Sequence, residues 1–200
     1  VVLPGTTPAP AWREPVPVAQ VIQAAVAEIE DYDRVEVLPL PDTALLGSAV
    51  PDLTHLIAEL IENATIFSPP KTIVQVRGEV VANGFAIEIE DRGMGLAPEE
   101  YESLNRLLAD PPEFDLSRSD RLGLLLVGRL AARHGISVVL RGSPYGGTTA
   151  IALLPRTLVV NEPVTGKAPA PAVGPAAPAV AALEPPAPPA PAGAAPRPPE

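Results

Sequence analysis

His55-Leu-Ile-Ala-Glu59-Leu-Ile-Glu-Asn63-Ala64, then Asp91-Arg-Gly93-Met-Gly95-Leu96, then Gly146-Gly147-Thr148-Thr149: these three stretches, in this order, organise the chain. Residues four apart on a helix lie above one another, so His55, Glu59 and Asn63 share one face. Leu53, Leu56, Ile57, Leu60, Ile61 and Ala64 give the same helix a broad apolar side suited to docking on a sheet. Asp91 closes a β-type run. Gly93 and Gly95 follow, where the backbone must turn or approach another group closely.

Working outward, Val18 to about Tyr32 repeats apolar residues at helical spacing, and Arg34–Leu38 alternates as a short strand. Thr43–Gly47 reads as a second short strand. Pro51 and Asp52 open the helix that runs through about Phe67, and Pro69-Pro70 stops it. Thr72–Val81 and Phe85–Glu90 form a hairpin whose turn is expected at Asn83-Gly84. Pro98 begins a further helix carrying Tyr101, Leu104, Leu107 and Leu108, followed by a polar loop over 110–120. Leu122–His134 is apolar nearly all round and reads as a buried helix capped by Gly135. Ile136–Arg141 and Thr148–Leu154 are strands joined by a turn at Ser143–Gly147. The sum is a two-layer α/β sandwich over residues 18–156: a mixed sheet with helices on one face.

The ends differ in composition. Residues 163–200 hold 13 of the 28 prolines and 13 alanines, too little bulk to offset ordering entropy, so 157–200 is expected to be a disordered tail. Residues 1–17, with five prolines, read as a linker. A net charge of −10 without a basic run argues against nucleic acid as a partner. The absence of cysteine excludes disulfides and thiolate metal sites. The chain opens on Val1, not Met, which suggests a piece of a longer protein.

The residue types carry a chemistry. The amide oxygen of Asn63 suits one place in the octahedral oxygen shell of Mg²⁺, whose other places go to phosphates and water. A carboxylate one turn earlier, Glu59, is placed to orient or deprotonate an attacking group near a γ-phosphate. Asp91, at a strand end, suits an exocyclic amine such as that of adenine. Gly146-Gly147 allows close backbone approach to a purine, and Thr148 adds a hydroxyl.

Together these stretches resemble the Bergerat-type (GHKL) ATPases, which group DNA gyrase, a heat-shock chaperone class, mismatch-repair ATPases and sensor histidine kinases. The resemblance spans about Val18 to Leu154. His55–Ser68 matches the N box, Asp91–Leu96 the first glycine box, Arg121–Gly135 the second and Gly146–Thr149 the last. The runs Asn63-Ala-Thr-Ile-Phe-Ser-Pro-Pro and Leu130-Ala-Ala-Arg-His-Gly135 are most similar to the ATP-binding domains of actinobacterial sensor histidine kinases. The resemblance implies ATP and Mg²⁺ as cofactors. Asn63 would be the metal ligand, Asp91 the partner of adenine N6, and Gly93, Gly95, Leu96 and Thr148 parts of the base pocket. Residues about 110–123 would form a mobile lid, with Arg118, Arg121, Leu122 and Gly123 beside the phosphates. Three positions depart from the family pattern. Ser119 and Arg121 stand where two glycines are usual. Ile66 stands where a basic residue is frequent. Glu59 stands where kinases often carry Asn and hydrolysing members carry a general base.

The resemblance further implies an upstream dimerisation and phosphoacceptor domain, a response regulator, a homodimeric parent, and a cytoplasmic domain of a membrane-anchored protein. Neither His55, inside the N-box helix and expected beside the pocket, nor His134, at a helix end, suits the phosphoacceptor role. The expected function is positioning Mg-ATP for γ-phosphoryl transfer to a histidine outside this segment. A regulatory ATP-binding module and an ATP hydrolase using Glu59 stand as alternatives.

Overall fold

Asp91 directly follows the central strand of a five-stranded sheet in the computed structural model, which describes residues 14–112 and 122–160. In chain order the elements are β1 (Val16–Pro17), α1 (Val18–Ala27), β2 (Val35–Val37), β3 (Ala44–Leu45), α2 (Val50–Ile66), β4 (Val74–Val81), β5 (Gly84–Glu90), α3 (Pro98–Ala109), α4 (Leu122–His134), β6 (Ser137–Gly142), β7 (Thr148–Pro155) and β8 (Val159–Val160). The large sheet is ordered β2-β4-β5-β7-β6. Its β2–β4 pair is parallel and the other pairs are antiparallel.

Alternation along the strands sends Val74 and Val76 of β4, Phe85, Ile87 and Ile89 of β5, and Ala152 and Leu154 of β7 to one face, all buried. The helices cover that face. The apolar side of α2 lies on β4 and β5, and α3 and α4 lie over β6. The opposite face carries Gln75, Arg77, Glu88, Glu90 and Arg141. This is the expected two-layer sandwich with a mixed sheet.

The helix expected to reach Tyr32 stops at Ala27. Glu28, Glu30, Asp31 and Asp33 follow, and acids are unfavourable at the negative end of a helix. The hairpin turn lies one residue earlier than expected, at Ala82-Asn83. Gly84 opens β5 opposite Val81, at φ 147, where a side chain would strike the Leu154 carbonyl. The α4 end matches expectation in detail. Gly135 sits at φ 66, its N–H bonds the Ala132 carbonyl, and the Ile136 N–H bonds that of Ala131.

A second sheet, ordered β1-β3-β8, carries regular structure past both edges of 18–156. Ala44 and Leu45 are fully buried and take strand partners on both sides. β3 falls within the short strand expected over Thr43–Gly47, whereas β1 and β8 were not expected, since two-residue strands have no period to read. Of the expected linker over 1–17 and tail over 157–200, residues 1–13 and 161–200 lie outside the described residues, and the rest hold β1 and β8. Among the described residues, no helix is long and apolar enough to cross a membrane.

Arg34 fastens the segment after α2. Its guanidinium donates to the Thr65, Ser68, Pro69 and Thr72 carbonyls and to Asp31. Removing it leaves several half-buried carbonyls without partners. Arg34→Ala is expected to lower stability by about 2–4 kcal/mol, read from chemical denaturation midpoints at unchanged slope.

Candidate functional site

α2 and β5 deliver the two halves of one cleft. Its volume is about 470 Å³, and Asn63, Phe67, Asp91, Gly95, Leu140 and Thr148 are among its lining residues. Such a size suits a nucleotide-scale ligand. A second depression, about 480 Å³ and more open, lies on α3 at Ser103, Arg106 and Asp110, and none of the sequence motifs reaches it.

Asp91 is 6% exposed and its carboxylate is divided in use. Oδ1 accepts the Gly93 N–H at 2.7 Å and the Thr148 N–H at 3.1 Å. Among the described residues, no donor is paired with Oδ2. Asp91 lines the cleft, and a buried carboxylate with one oxygen in service and one unpaired is a ready acceptor for a ligand N–H. The backbone also pairs there, with the Asp91 N–H donating to the Thr148 carbonyl at 2.9 Å.

The glycines crowd this acid from both sides. A Cβ on Gly93 would come within 2.6 Å of the Phe67 carbonyl. One on Gly147 would collide with the Asp91 backbone carbonyl and Oδ1. Gly95 takes φ 69, and a Cβ there would meet the Gly146 carbonyl at 2.8 Å. Leu96, half-exposed, also lines the cleft, and its N–H bonds Tyr101 Oη at 3.3 Å. Tyr101 Oη in turn lies 2.9 Å from Thr148 Oγ1. The Thr148 hydroxyl, expected to face the purine, is therefore shared with a tyrosine of α3. Nothing in the sequence distinguished Tyr101 from the apolar row it belongs to.

On α2, the Asn63 amide Nδ2 donates to the Glu59 carbonyl at 2.7 Å, which leaves Oδ1 as the side chain's cation-binding atom. Glu59 packs beneath the start of α4, where a Cβ on Gly123 would lie 2.5 Å from Glu59 Oε2. Burial raises the Glu59 carboxyl above its usual range. Neighbouring Glu62 raises it further, and His55 opposes the shift. α4 begins at Leu122 with no acid in its own first turn, and Glu59 of α2 is the carboxylate beside its N-terminal end. Gly123 thus lies beside Glu59 and Asn63, Leu122 precedes it at the start of α4, and Arg118 and Arg121 lie outside the described residues.

The two histidines serve other contacts. His55 is exposed and its Nδ1 lies 3.1 Å from Glu28 Oε2, turned away from the cleft it was expected to flank. The pocket faces the later turns of α2, at Leu60, Asn63 and Phe67. His134 Nε2 lies 2.8 Å from Asp52 Oδ2, with Arg133 Nη1 at 2.9 Å from the same oxygen. That pairing, His134 first, holds the Asp52 carboxyl below its usual value and ties the start of α2 to the end of α4.

Residues 49–158 match the family described as histidine kinase-, DNA gyrase B-, and HSP90-like ATPase. The sensor protein QseC of Salmonella typhi is 30% identical over 99 residues, covering 50% of this chain and 21% of that protein. The sensor-like histidine kinase SenX3 of Mycobacterium tuberculosis is 29% identical over 105 residues, covering 52% of this chain and 26% of its own length. The chain thus spans about a quarter or less of these curated relatives. Among solved structures, the ATP-binding domain of PrrB from Mycobacterium tuberculosis superposes with a TM-score of 0.53 at 27% identity, covering 71% of this chain and 97% of that one. The mycobacterial sensor histidine kinase MprB shares the fold, with a TM-score of 0.55 at 24% identity over 72% of this chain and 97% of that one.

The Glu59 shift has a pH consequence. A folded-state value raised above 4.5 means that folding favours the protonated acid. Its contribution to stability is full below 4.5 and declines as pH rises through the folded-state value. Glu59→Gln is expected to flatten that decline, measured as denaturation midpoints from about pH 4 to about pH 7.

Proposed function

We propose, from the premise that this chain belongs to the histidine kinase-, DNA gyrase B-, and HSP90-like ATPase family, that its cleft holds Mg-ATP for γ-phosphoryl transfer to a histidine outside this segment. One observation supports the base assignment above others: Asp91, buried beside Gly93 and Gly147 and lining the cleft, keeps one oxygen unpaired among the described residues after the other takes two backbone N–H groups. Adenine carries an exocyclic donor at N6, and guanine carries a carbonyl at the matching position.

The donor set fits a metal nucleotide. Asn63 Oδ1 would be the protein's ligand to Mg²⁺, since its amide nitrogen is engaged by the Glu59 carbonyl. Magnesium, when bound, neutralises phosphate charge and orients the γ-phosphoryl group. The chain's own residues do the rest. Asp91 fixes the base and Gly93, Gly95 and Gly147 admit it. Tyr101 and Thr148 brace the loop above it, and the N-terminal amides of α4 favour phosphate oxygens. Arg118 and Arg121 supply cationic charge from the segment that precedes α4. Catalysis in this scheme is positioning and charge neutralisation, the general requirement of phosphoryl transfer.

By the same reading, the parent protein carries its phosphoacceptor on a dimerisation domain, acts as a homodimer, delivers phosphate to a response regulator, and keeps this domain in the cytoplasm beneath a membrane anchor. The similarity to a sensor protein and a sensor-like histidine kinase supports the sensor-kinase part of this reading.

Glu59 favours a second reading. Its raised carboxyl lies against Gly123 at the phosphate end of the cleft, suited to activating water, so slow ATP hydrolysis is its alternative role. Steady phosphate release by the chain, abolished by Glu59→Gln with ATP binding retained, is the expected signature. Release unaffected by that substitution discards it.

The primary assignment is tested by calorimetric titration of the chain with Mg-ATP. Asn63→Ala is expected to lose the magnesium-dependent part of the affinity, about tenfold or more. Asp91→Asn is expected to reduce preference for ATP over GTP by about tenfold. Both variants binding like wild type overturns the site, and no binding by wild type at millimolar nucleotide overturns the function.

A further inference from the structure

On the face of the large sheet that the helices leave open, Glu90 is 6% exposed. A buried acid needs partners, and Glu90 has two, one per oxygen. Arg77 Nη2 donates to Oε2, and the Ser143 hydroxyl donates to Oε1 at 2.9 Å. Arg77 Nε is buried without a hydrogen bond and lies 3.9 Å from Glu88 Oε2, so Glu90 supplies the hydrogen-bonded contact of that guanidinium and Glu88 a longer ion pair. Ser143 is the hub of the turn that precedes β7. Its N–H bonds the Gly147 carbonyl at 2.8 Å, its carbonyl accepts the Gly146 N–H at 3.1 Å, and its hydroxyl accepts the Tyr145 N–H at 3.1 Å.

That turn is attached to three successive residues at the end of β5. Glu90 takes Ser143 from behind the sheet. Asp91 meets Gly147 and Thr148 at the cleft. Arg92 lies over the Tyr145 ring, 5.1 Å from its centroid. The geometry of the base-binding acid therefore depends on a turn that Glu90, buried on the other face of the sheet, also anchors.

We infer that Glu90 is a positioning residue for base recognition: through Ser143 it sets the Gly146-Gly147-Thr148 backbone against Asp91, and so aims Asp91 Oδ2 at the base without touching it. This inference rests on the reading of Asp91 as the partner of the adenine amine. The mechanism is mechanical. Thr148 N–H holds Asp91 Oδ1, and Gly147 packs on the Asp91 backbone. A turn released from Glu90 lets that N–H drift and the carboxylate rotate. Small displacements matter because hydrogen bonds to carboxylates weaken steeply with distance and angle.

The readout is a ratio: the Kd for the Mg-triphosphate of purine riboside, which lacks the 6-amino group, divided by the Kd for Mg-ATP. Wild type is expected to give a ratio of about ten or more, the usual value of one charge-assisted hydrogen bond. Glu90→Ala is expected to bring the ratio close to one. Ser143→Ala, which keeps the Arg77–Glu90 pair and so the folded sheet, is expected to lower it about threefold. A contribution to stability alone would lower the melting temperature and leave the ratio unchanged. Wild-type discrimination with the same ratio in folded Ser143→Ala overturns the role of Glu90 while leaving the Asp91 reading intact. A wild-type ratio of one, with ATP bound, overturns the Asp91 assignment and this inference with it.

Discussion

The carboxylate of Asp91 ties together strand, loop and turn. It follows the central strand β5, and its Oδ1 draws the Gly93 and Thr148 N–H groups to one point. Those bonds curl the chain after β5 back on itself and bring the start of β7 alongside. Both glycine stretches can approach because neither has a Cβ to block it. Were this acid an amide, one of the backbone donors would face another donor or lose a charged partner. One oxygen stays unpaired among the described residues because the other takes both backbone donors.

Around that point the layers divide the work. The helix face of the sheet supplies rigidity through fully buried Phe85, Ile87 and Leu154, and α2 presses its apolar side onto them. The same helix then offers Glu59 and Asn63 to the open end of the cleft, beneath the start of α4. α3 closes the other side, through Tyr101 to the glycine loop and through Asn105, which bonds both backbone groups of Leu140 on edge strand β6. The open face holds Arg77, Glu90 and Ser143, behind the acid that faces the ligand. The site is thus bounded by helices, strands and one braced turn, which favours precise placement of groups over adaptability.

Much of this was legible. Helical spacing marked α2, including its buried side, because the 3.6-residue period survives when one face is core. Gly135 after a run of apolar residues marked the end of α4, since only glycine takes the left-handed turn there without strain. The β4–β5 hairpin was evident, but its turn was displaced by one residue: Gly84 is needed for its close contact with Leu154, not for the turn itself. β3 lies inside the short strand read over Thr43–Gly47, while β1 and β8 escaped notice because two-residue strands carry no period. Among site residues, Asn63, Asp91, Gly93, Gly95, Leu96 and Thr148 line one cleft. Glu59 and Gly123 meet beside it. Tyr101 and Glu90 read as core and strand positions, since their partners lie 47 and 53 residues away along the chain.

Residue types and local spacing determined which elements form, which faces are apolar, and which side chains are chemically able to hold a cation or a base, because propensity, periodicity and functional group are properties of neighbours in sequence. Tertiary structure alone decided which oxygen of Asp91 is free, why His55 turns to α1, and how an acid behind the sheet reaches the cleft. Those are questions of distance between segments far apart in the chain, and distance is set by how buried faces pack, one against another.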